Sequence, residues 1–339
     1  MKKLSLALLI VLAAVACASQ KGVTPQGSET SALREVQSIQ LPDVAGRIDH
    51  MALDTEGSRL FVAALGNNTV EVIDLKAANR TEEIKNLQEP QGVVYVPEAD
   101  KLLVTNGEGD TLDIYDGQSL KLLNQVELGD DPDNVRYDAT AGYAYVGYGT
   151  GNSSALGVVD VDKATKVADI KLSGHPESFQ LEGNGKRIFV NVPTSGQVAV
   201  VDREKGGVVD TWPIENAKEN FPMALDEANH RLFIGTRSPA KLLILDTDTG
   251  KPITSLDSSG DADDIFYDAN NKRVYVSGGE GAVSVFEQTD PDTYKLKGRA
   301  DTAKGARTSL FAPESGTLYV AVPHNGSHQA EVRALRAES

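Results

Sequence analysis

Arg273-Val274-Tyr275-Val276-Ser277-Gly278-Gly279 follows Asp268-Ala269-Asn270-Asn271-Lys272 and precedes Ala282-Val283-Ser284-Val285-Phe286-Glu287. Alternating β-branched and aromatic residues, broken by polar turn residues, read as strand, turn, strand, loop, strand. The same order recurs seven times along the chain, so the repeat is read before anything else.

The central strand of each copy starts at Arg59 (RLFVAA), Lys101 (KLLVTN), Tyr143 (YAYVGY), Arg187 (RIFVNV), Arg231 (RLFIGT), Arg273 (RVYVSG) and Thr317 (TLYVAV). Its third residue is aromatic in six copies and Leu103 in the other. The aromatic column predicts packing between repeats rather than a cofactor box. The fifth residue is small or short: Ala63, Thr105, Gly147, Asn191, Gly235, Ser277 and Ala321. That predicts a close approach to a neighbouring sheet. Successive copies lie roughly 42–44 residues apart, the period of a four-stranded propeller blade.

Each full repeat reads as four strands. A first strand precedes the one just described; a third ends in an acid such as Asp74, Asp116, Asp160, Asp202 or Asp246, which opens a turn; a fourth follows it. The seventh copy stops after its third strand at 331–335, while an alternating stretch at 35–41 has no partner of its own. Pairing the two supplies the missing strand and removes two open sheet edges. The expected fold is all-β: a seven-bladed, WD40-like β-propeller over 34–339, closed by its N-terminal strand and monomeric.

Lys2 and Lys3 precede an apolar run at 4–15, too short to span a bilayer comfortably, and Ala14-Val15-Ala16 suits signal-peptidase cleavage. The leader is expected at 1–17 and a polar tether at 18–33. Cys17, the only cysteine, fits lipid attachment at a new N-terminus, and equally an incidental residue of a simple secreted protein. Either way the chain is expected to be exported to the periplasm or cell surface, with no transmembrane helix and no internal disulfide. Its formal charge is −16, and loss of Lys2 and Lys3 makes it more negative still. Such a field repels nucleic acid and attracts cations or basic partners. A single tryptophan and no basic stripe give single-stranded nucleic-acid binding no support.

Leu103-Val104-Thr105-Asn106 differs by one letter from Tyr-Val-Thr-Asn, and Leu245-Asp246-Thr247-Asp248-Thr249-Gly250-Lys251 repeats a turn pattern that accompanies it. On these motifs the chain resembles the YVTN-repeat, YncE-like family of bacterial envelope β-propellers over about 34–339. The resemblance implies the fold. It implies little about activity, because the family is large and mostly without assigned function.

In a propeller, the segments leading into strand one share a face with the loops between strands two and three. Those segments carry Arg47, Asp49 and His50; Gln91; Asp131, Asp133 and Asn134; His175 and Glu177; Asp261, Asp263 and Asp264; and Arg307. Four of the five histidines fall on this face, His324 and His328 on its loops. Asp49, Gln91, Asp133, Glu177, Phe221, Asp263 and Arg307 occupy one equivalent position around the channel mouth. Three readings follow. The first is a binding surface for a small polar ligand or an envelope protein, using Asp49, His50, Gln91, Asp133, Asn134, His175, Glu177, Asp263, Asp264 and Arg307. The second is a divalent-metal site (Ca, Mg or Zn) on His50, His175 and Glu177, serving a lactonase-like hydrolase or lyase. On that reading His50→Ala removes activity with little change in stability. The third is a solvated rim with no ligand. No Gly-x-Ser-x-Gly elbow, His-Glu-x-x-His, Cys-x-x-Cys or Walker loop is present.

Overall fold

A computed structural model of the chain describes residues 31–338. The expected leader, Cys17 and most of the expected tether lie outside the described residues. The described chain forms 28 strands in seven four-stranded antiparallel sheets. Blade one is Met51–Asp54, Arg59–Ala64, Thr69–Asp74 and Asn79–Ile84, counted outward from the axis. Blade six, whose second strand carries the sequence first quoted, is Ala262–Asp268, Arg273–Gly278, Ala282–Asp290 and Thr293–Asp301. The fold is the expected seven-bladed β-propeller.

The last blade closes the ring as its missing strand requires. Its inner three strands are Ser309–Ala312, Thr317–Val322 and Ala330–Ala337, and its outer strand is Leu33–Leu41 from the other end of the chain. The antiparallel pairing sets Leu33 opposite Ala337 and Leu41 opposite Ala330. The strand therefore begins at Leu33, inside the stretch expected to be tether. Leu33 is buried with Val283, Val285 and Phe311 between blades six and seven. Ile39 and Leu41 join Leu60, Ile73 and Ala334 between blades seven and one.

Packing between blades follows the repeat. Every second strand is almost wholly buried, and the aromatic column meets residues of the next blade or the outer strand. Phe61 stacks on Tyr95 at 5.8 Å, Phe233 on Tyr267 at 5.3 Å and Tyr275 on Phe311 at 5.3 Å between ring centroids. The short fifth residue lets the next blade's first strand approach. A Cβ on Gly147 would lie 3.0 Å from the Pro176 ring, and Thr105 Oγ1 donates to the Asp133 carbonyl at 2.7 Å. The basic residue that opens strand two reaches across to the following blade. Arg59 donates to the Gly117 carbonyl at 2.7 Å, Lys101 to Val161 at 2.9 Å and Arg231 to Pro291 at 3.1 Å. Every blade has a register shift between its third and fourth strands, as at Val72/Ile73 or Val200/Val201, and blade six has two; these bend the outer edge.

These contacts make the rim geometry dependent on ring closure. Deleting residues 34–42 removes the outer strand's ladder and the buried Ile39 and Leu41, each worth about 1.5–3 kcal/mol. The deletion is expected to lower the calorimetric melting temperature of the whole ring in a single transition. An unchanged transition contradicts this closure.

Candidate functional site at the channel mouth

Three of the ring residues are held by backbone bonds to strand two. Asp49 N donates to the Ala63 carbonyl at 2.7 Å, Asp133 N to Gly147 at 2.9 Å and Glu177 N to Asn191 at 3.0 Å. The short fifth residues of strand two are thus the points from which the mouth is hung. Gln91, Asp133, Glu177, Phe221, Asp263 and Arg307 border a mouth cavity of about 180 Å3, together with Arg47, Asp131, His175 and Arg237. Asp49, the seventh member of the expected ring, lies just beneath it and is 1 % exposed.

Most of the arginines are already engaged. Arg47 donates to Asp49 Oδ2 at 2.7 Å. Arg237 pairs with Asp263 and lies 4.0 Å above the Phe221 ring. Arg307 reaches Asp261 at 2.9 Å. Gln91 donates to Asp131 at 2.7 Å. Glu177 has no ion-pair partner within 4.0 Å among the described residues. His175 sits at the rim with Nδ1 2.9 Å from the Gly149 carbonyl.

Below the ring the axis is occupied by His50. Its Nδ1 lies 3.4 Å from Asp264, and its Nε2 lies 3.7 Å from Asp49 and 4.0 Å from Asp133. Burial pushes the imidazole's pKa down, but Asp264, Asp49 and Asp133 more than offset it and hold the group up at about 10. His50 is therefore an imidazolium at neutral pH. Asp264 also accepts the Ser309 N–H at 2.8 Å, which ties it to the next blade. Asn134 is buried beside Asp133.

The carboxylates of the mouth are held against their own charge. Burial, with Glu177 and Asp49 nearby, raises Asp133 to about 7. Burial, with Asp263 and Asp49, raises Glu177 to about 7 although Arg237 opposes it. Burial raises Asp263 to about 6, again against Arg237. Asp49 Oδ1, Asn134 Oδ1 and Asp263 Oδ2 are buried without a hydrogen-bond donor among the described residues. All three residues border one void of about 10 Å3 beneath the mouth, on the scale of one water-sized sphere.

The expected site residues thus divide by depth. Asp49, Gln91, Asp133, His175, Glu177, Asp263 and Arg307 form or underlie the mouth, while His50, Asn134 and Asp264 lie deeper. His324 and His328 are on an exposed loop and do not border the mouth cavity. No three His, Cys, Asp or Glu side chains among the described residues are arranged to hold a metal ion.

No family model matches the chain. Two curated relatives, each described as uncharacterized protein YncE, are 24% identical to it: one from Salmonella typhimurium over 204 residues and one from Salmonella typhi over 205. Over that stretch the chain is similar to these YncE proteins. The match covers 59% of this chain and spans only 56%, little more than half, of those relatives. Among solved structures, Kuenenia stuttgartiensis hydrazine synthase superposes with a TM-score of 0.74 at 19% identity, covering 87% of this chain and 95% of that one. A chain of a mitotic checkpoint complex does so at 0.74 and 13% identity, covering 98% and 99%. At these identities the likeness is one of fold alone, and the site has to be read from this chain's own residues.

The geometry points to a different outcome for His50→Ala than the enzyme reading expects. The sequence reading had His50→Ala leave stability little changed, yet the imidazolium is the counter-charge for three buried carboxylates. Removing one member of such a group costs about 3–5 kcal/mol. His50, raised from 6.5 toward 10, contributes stability that is complete below pH 6.5 and lost as pH rises through 10. Asp133 and Glu177, raised to about 7, hold extra protons in the folded state, so their burial grows more costly as pH rises from about 4 through 7. The melting temperature is expected to fall between about pH 5 and 9. His50→Ala is expected to destabilise strongly at pH 6, where the imidazolium's contribution is complete, and less at pH 9, as read by urea denaturation. Equal losses at the two pH values contradict the charge arrangement.

Proposed function

We propose that the protein is a binding module that captures a cationic group in the mouth. That group is an ammonium or guanidinium, carried by a small polar ligand or by a basic segment of a partner protein. The observation that carries this reading is the pair Asp133 and Glu177. Both are pushed up to about 7 by burial and by other carboxylates, and Glu177 has no counter-ion of its own within 4.0 Å among the described residues. A ligand cation supplies the charge that the fold leaves short. Phe221, with Arg237 over its ring, offers an aromatic wall beside those acids. The formal charge of −16 favours approach of a cation over long range.

The module is exported on this reading, as the basic-apolar leader and Cys17 suggest. Intact-mass analysis of protein expressed with its leader is expected to show a chain beginning at Cys17, with or without added lipid. Recovery of a chain still carrying Met1 contradicts export by this leader.

Calorimetric titration with L-argininamide and with a lysine-rich decapeptide tests the binding reading. A bound cation favours ionised Asp133 and Glu177, so binding is expected to release protons at pH 7 and to strengthen between about pH 6 and 8. Asp133→Asn/Glu177→Gln is expected to weaken it at least about tenfold. Absence of binding by both probes, or equal binding by the double variant, overturns it.

A further inference from the structure

Below His50 the axis opens into a second cavity, of about 380 Å3, and the imidazolium stands between it and the void of about 10 Å3 beneath the mouth, bordering both. Its size falls within the ~300–1,000 Å3 range of small-molecule pockets. One side of its wall is apolar: Leu53, Val94, Leu225, Phe266 and Leu310 come from the first strands of five blades. Its polar lining is His50, Arg136, Gln180, Asp264 and Ser309, and Arg136 is the one whose charge has no partner within 4.0 Å among the described residues. It occupies the repeat position held elsewhere by Ala52, Val94, Gln180, Ala224, Phe266 and Leu310.

The Arg136 guanidinium has no carboxylate within 4.0 Å among the described residues. One of its nitrogens donates to the Val135 carbonyl at 2.8 Å, and its centre lies 5.6 Å from the Phe179 ring. Asp264 and Asp133 act on it only from farther away, and burial pulls its pKa below the ordinary guanidinium value. Its remaining donors form a fork suited to an oxyanion. Charged His50 adds a second cation at the same end of the cavity, while Asp264 is engaged by His50 and by the Ser309 N–H. An isolated buried cation is costly unless something pairs with it.

We propose that this cavity is a second ligand site, which takes a small monocarboxylate with an apolar body, its carboxylate on Arg136 and its body along the leucine and phenylalanine wall. The site is separate from the cation-binding mouth and stands without it. The guanidinium fork anchors the head, and the apolar wall selects an alkyl or aryl chain over a bare anion. The occupant enters from the face opposite the mouth, because His50 fills the axis between the two.

The test is a thermal-shift and calorimetric comparison of the full chain with Arg136→Met, using sodium octanoate and phenylacetate as probes. Acetate serves as a head-only control and 1-octanol as a body-only control. In the wild type the two carboxylates are expected to raise the melting temperature, with acetate and octanol giving smaller shifts. In Arg136→Met the carboxylate response is expected to disappear, with affinity reduced at least about tenfold. Without any probe, the variant is expected to melt at or above the wild type, since it no longer buries an unpaired charge. Three results overturn the proposal: no shift in the wild type with either carboxylate, an equal shift in Arg136→Met, or an equal shift with octanol. A variant that melts lower, beside a wild type indifferent to carboxylates, assigns the guanidinium a purely structural role.

Discussion

One imidazolium, His50, stands where the first strands converge, and carboxylates of blades one, three and six close on it. Three acids gathered on one axis repel each other and lose their water. Without a cation among them, they would have to take up protons or move apart. The repeat brings equivalent positions to one height around the ring, so it concentrates charge at the axis whether or not the fold benefits. His50 is what makes that concentration tolerable at neutral pH. It also blocks the channel, which divides the axis into an acidic mouth and a lower cavity whose head carries positive charge.

The rest of the ring serves to hold this arrangement still. Asp49, Asp133 and Glu177 hang on backbone bonds to strand two, and strand two packs on the blade that follows, as in blades one and two. The acid–arginine pairs of the mouth bridge neighbouring blades, as Arg237 does from blade five to Asp263 in blade six and Arg307 from blade seven to Asp261 in blade six. A break in the ring would therefore be felt at the mouth. The N-terminal strand prevents one by lying in the same sheet as the C-terminal strand, with Leu33 and Ile39 packed on opposite sides of the last blade.

The fold was legible because each second strand is buried on both faces and so cannot vary freely. Phe61, Tyr145, Phe189, Phe233, Tyr275 and Tyr319 repeat for that reason. The outer strands were harder to read: Asn79–Ile84 and Leu122–Glu127 are mostly exposed, and their alternation is diluted by solvent-facing residues. Leu33 went unread for a related cause. It lies beyond a register shift at Glu35/Gln37, where simple alternation fails. The mouth ring from Asp49 to Arg307 was legible because repeats place equal positions at equal heights. Depth was not. His50 and Asp264 each follow a rim residue by one position, and alternation turns them toward the axis instead of the rim. Arg136 was readable in principle, as the single charge among its aligned equivalents, but in Val135-Arg136-Tyr137 it passes for an ordinary solvent-facing strand residue.

The account rests on His50 being charged, and NMR can observe that directly. With the imidazole labelled with 15N and 13C, a pH titration of the intact protein is expected to show His50 protonated through neutrality, changing only near pH 10. Its Nδ1 and Nε2 shifts should report two protonated nitrogens at pH 7. An imidazole that titrates at or below its ordinary value of 6.5 would be neutral at the axis, and the division of the channel by a charged plug would then be wrong.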